Sequence, residues 1–299
     1  FSINKNKALI NYLNSDKTIY TKVISPNFVL KYDSSIEEIK NKLEKLIRYS
    51  NPEKEKETLF IWPEGVFTGY DINQIGQFNK LIKDNFSEKH FILFGINTID
   101  KKSGKYFNSL VVVNHNFKIL YQYNKKKLVP FGEFLPFENF LNKIGLKKIT
   151  QGHGSFSKGD LQENIILKNL NILPLICYEI IFPELTQKSK EETNLIINIS
   201  EDGWFGNSIG PYQHFAKAIY RSIENDVYLV RSANKGISAI ISNKGEIIKQ
   251  LNINETGSIE MDIPLINSKY KNKNDLIFFI LLFTYLIIFL IFKYKKNAK

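Results

Sequence analysis

Short apolar runs alternate along the chain with segments of helical periodicity. Runs of strand length occur at residues 19–24, 59–62, 91–96, 110–113, 119–123, 172–177, 195–199, 227–230, 238–242 and 259–263. Apolar residues spaced three or four apart predict helices at residues 36–49, 72–85, 183–192 and 211–225. The stretch SAIISNKGEIIKQL predicts a β-hairpin with its turn at 243–245. This alternation is typical of a layered α/β domain, which we expect over residues 18–268.

The C-terminal part of the chain has a different pattern. Residues 276–292, LIFFILLFTYLIIFLIF, contain no charged side chain, and tyrosines 270 and 294 flank them. A helix of this length covers most of a hydrocarbon core of about 30 Å, whereas a buried core helix normally keeps a polar face. We therefore expect a transmembrane helix at 276–292. The basic tail at 293–299 predicts a cytoplasmic C-terminus, with the preceding domain on the opposite face.

The chain begins with FSINKNKALI, without an initiator methionine or a signal peptide. The topology inferred above requires export of the large domain. We therefore expect residues 1–17 to be a lead-in segment at a truncation point, with N-terminal membrane helices preceding it.

Composition narrows the classes of function. The formal net charge is +11, but only Arg48, Arg221 and Arg231 among the 41 basic residues are arginines. Arginine is the side chain best suited to bidentate recognition of bases and phosphates, and the lysines form no aromatic-interleaved stripe. We expect no nucleic-acid partner. The single cysteine excludes an intramolecular disulfide.

Three reactive residue types each follow a predicted strand. Glu64 follows LFIWP, Lys125 follows ILYQYN, and Cys177 ends ILPLI. Ligands of α/β sheets bind beyond the carboxyl ends of strands. A thiol needs a base or a cation before it attacks a carbonyl, so these three types together indicate acyl transfer through Cys177. A buried cysteine that only packs in the core is the competing interpretation.

Four stretches, in order along the chain, are similar to one known family. They are WPEG at 62–65, KKKLVPFGEFLP at 125–136, CYEIIFPEL at 177–185, and residues 198–238 with DGWFG and RSANKG. All four resemble the nitrilase superfamily, and the last two look, within it, like the apolipoprotein N-acyltransferases, which are bacterial membrane enzymes. The resemblance extends over about residues 18–292.

The resemblance implies a four-layer αββα sandwich and a Glu-Lys-Cys triad. By motif position, Glu64 is the expected general base, Lys125 the triad lysine and Cys177 the nucleophile. Two further acids are expected to be catalytic, Glu133 as the family's second glutamate and Glu179 as the last residue of CYE.

The same motifs imply a substrate-binding side. We expect Tyr178, Trp204 and Phe134 to contact the substrate. Phe134 belongs to the apolar and basic stretch 131–149, which is typical of a lid at a membrane interface, although a core-packed helix is its alternative. Two positions depart from the family pattern. Lys127 replaces a usual histidine before LVPFG, and Glu201 replaces a common asparagine before the DGWFG loop.

The resemblance implies an apolipoprotein N-acyltransferase of the bacterial inner membrane, with its catalytic domain on the periplasmic or outer face. Its expected partners are a phospholipid acyl donor, a diacylated lipoprotein acceptor and the bilayer. In the expected reaction an acyl chain passes through a cysteine thioester to the lipoprotein's N-terminal amine. A membrane-tethered amidase or nitrilase and a non-catalytic anchored binding domain are the alternatives.

The sequence matches two other kinds of catalytic or metal site only in part. GNSIG at 206–210 fits the G-x-S-x-G elbow of α/β-hydrolases, but no acid followed by a histidine comes after Ser208. The four histidines are far apart and form no zinc motif. We expect neither a metal nor a cofactor.

Overall fold

The computed structural model describes residues 17–136, 155–160, 163–187, 193–267 and 276–297. The chain divides into two compact units, residues 1–268 and 269–299. Within unit 1 the strands are β1 Thr18–Ser25, β2 Thr58–Ile61, β3 His90–Ile99, β4 Tyr106–Asn114, β5 Ile119–Asn124, β6 Ile165–Leu167, β7 Leu170–Ile176, β8 Leu195–Glu201, β9 Tyr228–Asn234, β10 Ser238–Ile241, β11 Ile247–Leu251 and β12 Gly257–Pro264.

These strands form two mixed six-stranded sheets. The first sheet has the order β12-β1-β2-β3-β4-β5, and β1, β2 and β3 are parallel. The second sheet has the order β11-β10-β9-β8-β7-β6, and β7, β8 and β9 are parallel. In both sheets the outer pairs are antiparallel. The strands β2 and β7 belong to the parallel parts of the two sheets. Glu64 and Cys177 follow their carboxyl ends, as the sequence predicted.

Helices cover the outer face of each sheet. Their bounds are α1 Ile36–Ser50, α2 Ile72–Ile75, α3 Asn79–Asn85, α4 Pro183–Gln187 and α5 Gly210–Asn225. The start of α1 is fixed by a capping box, in which the Ser35 hydroxyl accepts from the Glu38 N–H and the Glu38 carboxylate accepts from the Ser35 N–H. This reciprocal pair satisfies two donors that the first turn leaves free.

The core has three layers because strand side chains alternate between the two faces of a sheet. Leu59 and Ile61 of β2 face the second sheet, where they pack with Ile197 and Ile199 of β8. Phe60, the residue between them, faces the helices outside the first sheet. A third cluster lies between the second sheet and α5. The predicted four-layer αββα sandwich is confirmed.

Several elements differ from the sequence prediction. The predicted helix at 72–85 is interrupted by a 3₁₀ turn at Gly76–Phe78, where a glycine weakens the α-helix. The strand β6 was missed because three residues are too few for a periodicity signal. The hairpin at 238–251 is confirmed as β10 and β11, with Gly245 at φ 79° in its turn. The predicted helix at 183–192 is described only over α4, and most of the stretch 131–149 lies outside the described residues.

Unit 2 contains the helix α6, Leu276–Asn297. A helix is thus confirmed for the apolar C-terminal stretch. Its segment Ile277–Tyr294 is long and apolar enough to cross a membrane, by length and composition. Its described side chains are exposed.

Candidate active site

A cavity of about 500 Å³ opens where the carboxyl ends of β2, β5, β7 and β8 meet. Glu64, Lys125, Glu133 and Cys177, four of the residues predicted to be catalytic, line it. These residues come from separate parts of the chain, and the stacking of the two sheets brings them together. The arrangement places an acid, an ammonium and a thiol around one space.

A buried network joins three of these groups. The Lys125 ammonium lies 2.8 Å from Glu133 Oε1 and 3.4 Å from Glu64 Oε1. The Asn108 side-chain amide donates to both acids, at 2.6 Å to Glu64 Oε1 and 2.7 Å to Glu133 Oε1. The second oxygens accept from backbone, Glu64 Oε2 from the Glu201 N–H at 3.1 Å and Glu133 Oε2 from the Val129 N–H at 2.9 Å. Each carboxylate is therefore held at both ends.

The charge state of Lys125 follows from this network. The side chain is 1% exposed, and burial alone would lower the pKa of its ammonium. The negative charges of Glu133 and Glu64 outweigh burial and raise the pKa above its ordinary value. Lys125 is therefore a permanent cation at the cavity wall.

Cys177 lies in a strained turn. The residue follows β7 at the start of a 3₁₀ turn and has φ 49°, in the left-handed region that L-residues avoid. Burial raises the pKa of its thiol above the ordinary range, and the nearby charge of Glu64 adds to this rise, while Lys125 opposes it. The resting thiol keeps its proton, so a nucleophilic role requires a base.

Glu179 has contacts different from those of the other predicted acids. Its Oε1 accepts from the Tyr123 hydroxyl at 2.9 Å and from the N–H groups of Lys126 and Lys127 at 2.6 and 3.0 Å. Its Oε2 accepts from the Ile176 N–H at 2.9 Å. The carboxylate thus ties the segment after Lys125 to the turn that carries Cys177, and it is not part of the cavity wall. A catalytic role of Glu179 stays a prediction.

Aromatic side chains form part of the cavity rim. Trp204 is 47% exposed, and its ring centroid lies 6.0 Å from that of Tyr32. Tyr178 packs edge-on against Phe182, with centroids 5.0 Å apart. Both Trp204 and Tyr178 line the cavity. Phe134 lies beside this wall rather than in it, with the Lys158 ammonium 5.7 Å from its ring centroid.

Glu201 is buried next to the predicted base. Its carboxylate accepts from the Gly203 N–H at 2.8 Å and from the Asn234 amide at 2.7 Å. Burial nevertheless raises the pKa of Glu201 to about 8, and the negative charges of Glu64 and Asp202 add to the rise. At neutral pH the Glu201 side chain is therefore mostly uncharged, while its backbone N–H, at the end of β8, donates to Glu64.

Sequence reasoning missed Asn108, which links the two acids. Asparagine is common at strand ends and in loops, so nothing in the sequence around residue 108 marks it as functional. Ser208 of GNSIG is an exposed loop residue whose hydroxyl accepts from the Gly210 N–H. In the described parts of the chain, no group of three or more His, Cys, Asp or Glu residues is arranged to hold a metal ion.

The family model of the carbon-nitrogen hydrolases matches residues 26–268. The chain belongs to the carbon-nitrogen hydrolase family. A carbon-nitrogen hydrolase from Helicobacter pylori has the same fold, with a TM-score of 0.58 and 16% identity over 83% of this chain and 89% of that one.

A second solved structure is an amidase mutant from a Nesterenkonia species, with a TM-score of 0.57 and 16% identity over 84% of this chain and 91% of that chain. Its active-site cysteine carries a covalent acetamide moiety from fluoroacetamide. At these identities both likenesses show the fold alone.

Curated relatives carry a more specific name. The apolipoprotein N-acyltransferase of Rhizobium leguminosarum bv. trifolii is 43% identical over 160 residues, which are 53% of this chain and 30% of the relative. That of Rickettsia prowazekii is 38% identical over 242 residues, 77% of this chain and 48% of the relative. The chain thus spans less than half the length of these relatives.

Gly95 of β3 packs directly against the backbone of Glu64. A Cβ added there would lie 2.8 Å from Glu64 Cα and 3.1 Å from Ile199 Cδ1. We expect Gly95→Ala to lower the free energy of unfolding by about 1–3 kcal/mol, because backbone rather than a flexible side chain must move. Thermal unfolding of the purified protein measures this. Gly76→Ala, whose Cβ would meet nothing within 4 Å, is the control; equal melting temperatures for both variants would contradict the prediction.

Titration of Glu201 should appear in the stability of the protein. From the ordinary value of 4.5 to about 8, the unfolded carboxyl has lost its proton while the folded one keeps it. The wild type therefore loses stability as the pH rises through this window. Glu201→Gln stays neutral, so its melting temperature relative to the wild type should rise from about pH 5 to about pH 8.5. The exposed Glu57→Gln change is the control. A difference that does not vary with pH would refute the assignment.

Proposed function

We propose that the chain is the catalytic part of an apolipoprotein N-acyltransferase. It would transfer an acyl chain from a phospholipid to the N-terminal amine of a diacylglyceryl-cysteine lipoprotein. The observation that carries the proposal is the meeting of Glu64, Lys125 and Cys177 at one cavity. The names of the curated relatives support the choice of substrates.

In the first half-reaction, Glu64 takes the proton of the Cys177 thiol as sulfur attacks the ester carbonyl carbon of the phospholipid. A carbon–sulfur bond forms, and the carbonyl oxygen becomes an oxyanion that the Lys125 cation stabilises. The oxyanion collapses and the ester carbon–oxygen bond breaks. The departing lysophospholipid oxygen takes the proton from Glu64, and a thioester remains on Cys177.

In the second half-reaction, the lipoprotein amine attacks the thioester carbonyl. Glu64 accepts a proton from the amine, and the oxyanion again forms beside Lys125. The carbon–sulfur bond breaks, the Cys177 sulfur regains its proton from Glu64, and an amide remains on the lipoprotein. The same three side chains therefore serve both halves, as a ping-pong reaction requires.

The neighbouring residues take supporting parts in this proposal. Glu133 and Asn108 hold Lys125 and Glu64 through the contacts described above. Tyr178 and Trp204 form a wall for the substrate, and Phe134 lies beside it. Glu179 holds the turn of Cys177.

The proposed setting is the bacterial inner membrane. The apolar helix α6 would span the bilayer and keep the catalytic domain next to its lipid substrates. The catalytic domain would lie on the periplasmic or outer face and the basic tail in the cytoplasm.

The reaction is tested with labelled phospholipid and a diacylated lipopeptide. The wild-type protein in detergent should give triacylated lipopeptide and lysophospholipid, and trapping without acceptor should give a thioester on Cys177. Cys177→Ser should lower the rate at least about a thousandfold, since the hydroxyl is a much weaker nucleophile here, and Glu64→Gln should remove the base with a similar loss.

Glu57→Gln, an exposed acid paired with Lys168, is the matched control for Glu64→Gln. Ordinary acyl labelling of Cys177→Ser would exclude the proposed nucleophile. Hydrolysis of small amides without acylation of the lipopeptide would instead assign the site to an amidase.

The proposed sidedness can be measured with single-cysteine variants. In a Cys177→Ser background, Asn252→Cys places a thiol at an exposed position of the catalytic domain, and Lys299→Cys places one in the tail. A membrane-impermeant maleimide added to intact spheroplasts should label the first and not the second. The reverse labelling would overturn the topology.

A further inference from the structure

His214 contacts the backbone of Cys177, the proposed nucleophile. The residue lies on the buried face of α5, and its Nε2 is 3.0 Å from the carbonyl oxygen of Cys177. A carbonyl oxygen can only accept, so Nε2 carries the proton and donates it. The peptide units around Cys177 are thus held twice, at the Ile176 N–H by Glu179 and at the Cys177 carbonyl by His214.

A buried ion pair anchors the imidazole. Asp202 Oδ1 lies 3.0 Å and Arg231 Nη2 3.1 Å from His214 Nδ1, so this nitrogen has an acceptor when it is protonated and a donor when it is not. Both carboxylate oxygens of Asp202 accept from Arg231 Nη2, at 3.0 and 2.8 Å. The Ser200 hydroxyl donates to Asp202 Oδ1 at 2.7 Å, and Arg231 also donates to Asn198. The side chains of Asp202 and Arg231 are fully buried. This anchor leaves His214 little freedom to turn away from Cys177.

The geometry of Cys177 gives this contact a purpose. A residue at φ 49° relaxes to other conformations unless its surroundings hold it there. A hydrogen bond to the carbonyl of that residue fixes the peptide plane that follows the Cα, and with it the direction of the thiol. His214 also lines the cavity, and its ring lies 5.5 Å from that of Phe205 in the Trp204 loop.

We propose that His214 is a positioning residue, which holds Cys177 in its strained conformation by donating Nε2–H to its carbonyl oxygen, on an anchor formed by Asp202 and Arg231. The inference rests on the proposed function only in taking Cys177 as the acylated nucleophile. His214 transfers no proton in this assignment, because its one donor toward Cys177 is committed to the backbone.

Two amide substitutions separate the hydrogen bond from the packing of the ring. The side-chain amide of His214→Gln reaches the place of Nε2 and can donate to the Cys177 carbonyl. The amide of His214→Asn reaches only the place of Nδ1 and leaves that carbonyl without its donor. His90 offers a matched control, since it is another buried histidine whose Nε2 lies 2.9 Å from a backbone carbonyl, that of Glu53. His90→Asn should therefore lose a comparable bond away from the site.

The measurement is single-turnover acylation of the whole chain in detergent by p-nitrophenyl butyrate. The rate is read from the release of p-nitrophenolate, and the acylated protein is detected by its intact mass. We expect His214→Asn to lower the saturating acylation rate about 10- to 100-fold, with little change in the half-saturating ester concentration. His214→Gln should stay within about fivefold of the wild type, and His90→Asn within about threefold. Melting temperatures of all variants are recorded, and rates are compared well below the lowest.

The outcomes separate the positioning role of His214 from the proposed function. Wild-type rates in His214→Asn, or an equal loss in His214→Gln and His214→Asn, would overturn the positioning role. A loss in His90→Asn equal to that in His214→Asn would also overturn it, because general destabilisation would then explain the effect. Absence of Cys177 acylation in the wild type would instead count against the proposed function.

Discussion

The buried ammonium of Lys125 is the interaction on which the candidate site depends. The carboxylates of Glu64 and Glu133 both accept from the Asn108 amide, and two largely buried carboxylates this close would repel one another. A single cation between them removes that repulsion and lets both acids accept their backbone donors. The same contacts connect β2, β4 and the segment after β5. The placement of these strands therefore depends on the neutralisation of the two carboxylates by Lys125, and that neutralisation depends on the placement of the strands.

The carboxyl end of β8 connects the proposed base to the proposed nucleophile. Glu201 and Asp202 are consecutive and both buried, yet they serve different partners. The Glu201 N–H holds Glu64, while the Asp202 carboxylate holds the imidazole that contacts Cys177. Because both contacts start at the end of one strand, which has parallel neighbours on both sides, a rigid element holds the proposed base and the proposed nucleophile relative to one another.

Most of the layered fold and part of the site follow from the sequence. Glu64, Lys125 and Cys177 each come after a strand-like run, and this position predicts them as candidate site residues from the sequence alone. Asn108 carries no such signal, because its importance comes from two acids that are distant in sequence. The sequence motifs present His214 only as a candidate metal ligand or as a partner of the G-x-S-x-G serine, and neither motif concerns contacts to backbone carbonyls. Burial of Glu201 likewise depends on the neighbouring strand, so its raised pKa of about 8 was beyond sequence reasoning.

The pairing of β1 with β12 has a mechanical consequence. Thr18 pairs with Pro264, and the Leu265 N–H donates to the Lys17 carbonyl, so the chain enters and leaves the sandwich side by side at one sheet edge. Tension applied between Lys17 and Leu265 would separate the paired residues of β1 and β12 one pair at a time, rather than load all their hydrogen bonds together. Separation would therefore begin at the Thr18–Pro264 pair of the first sheet, whereas Cys177 follows a strand of the second sheet.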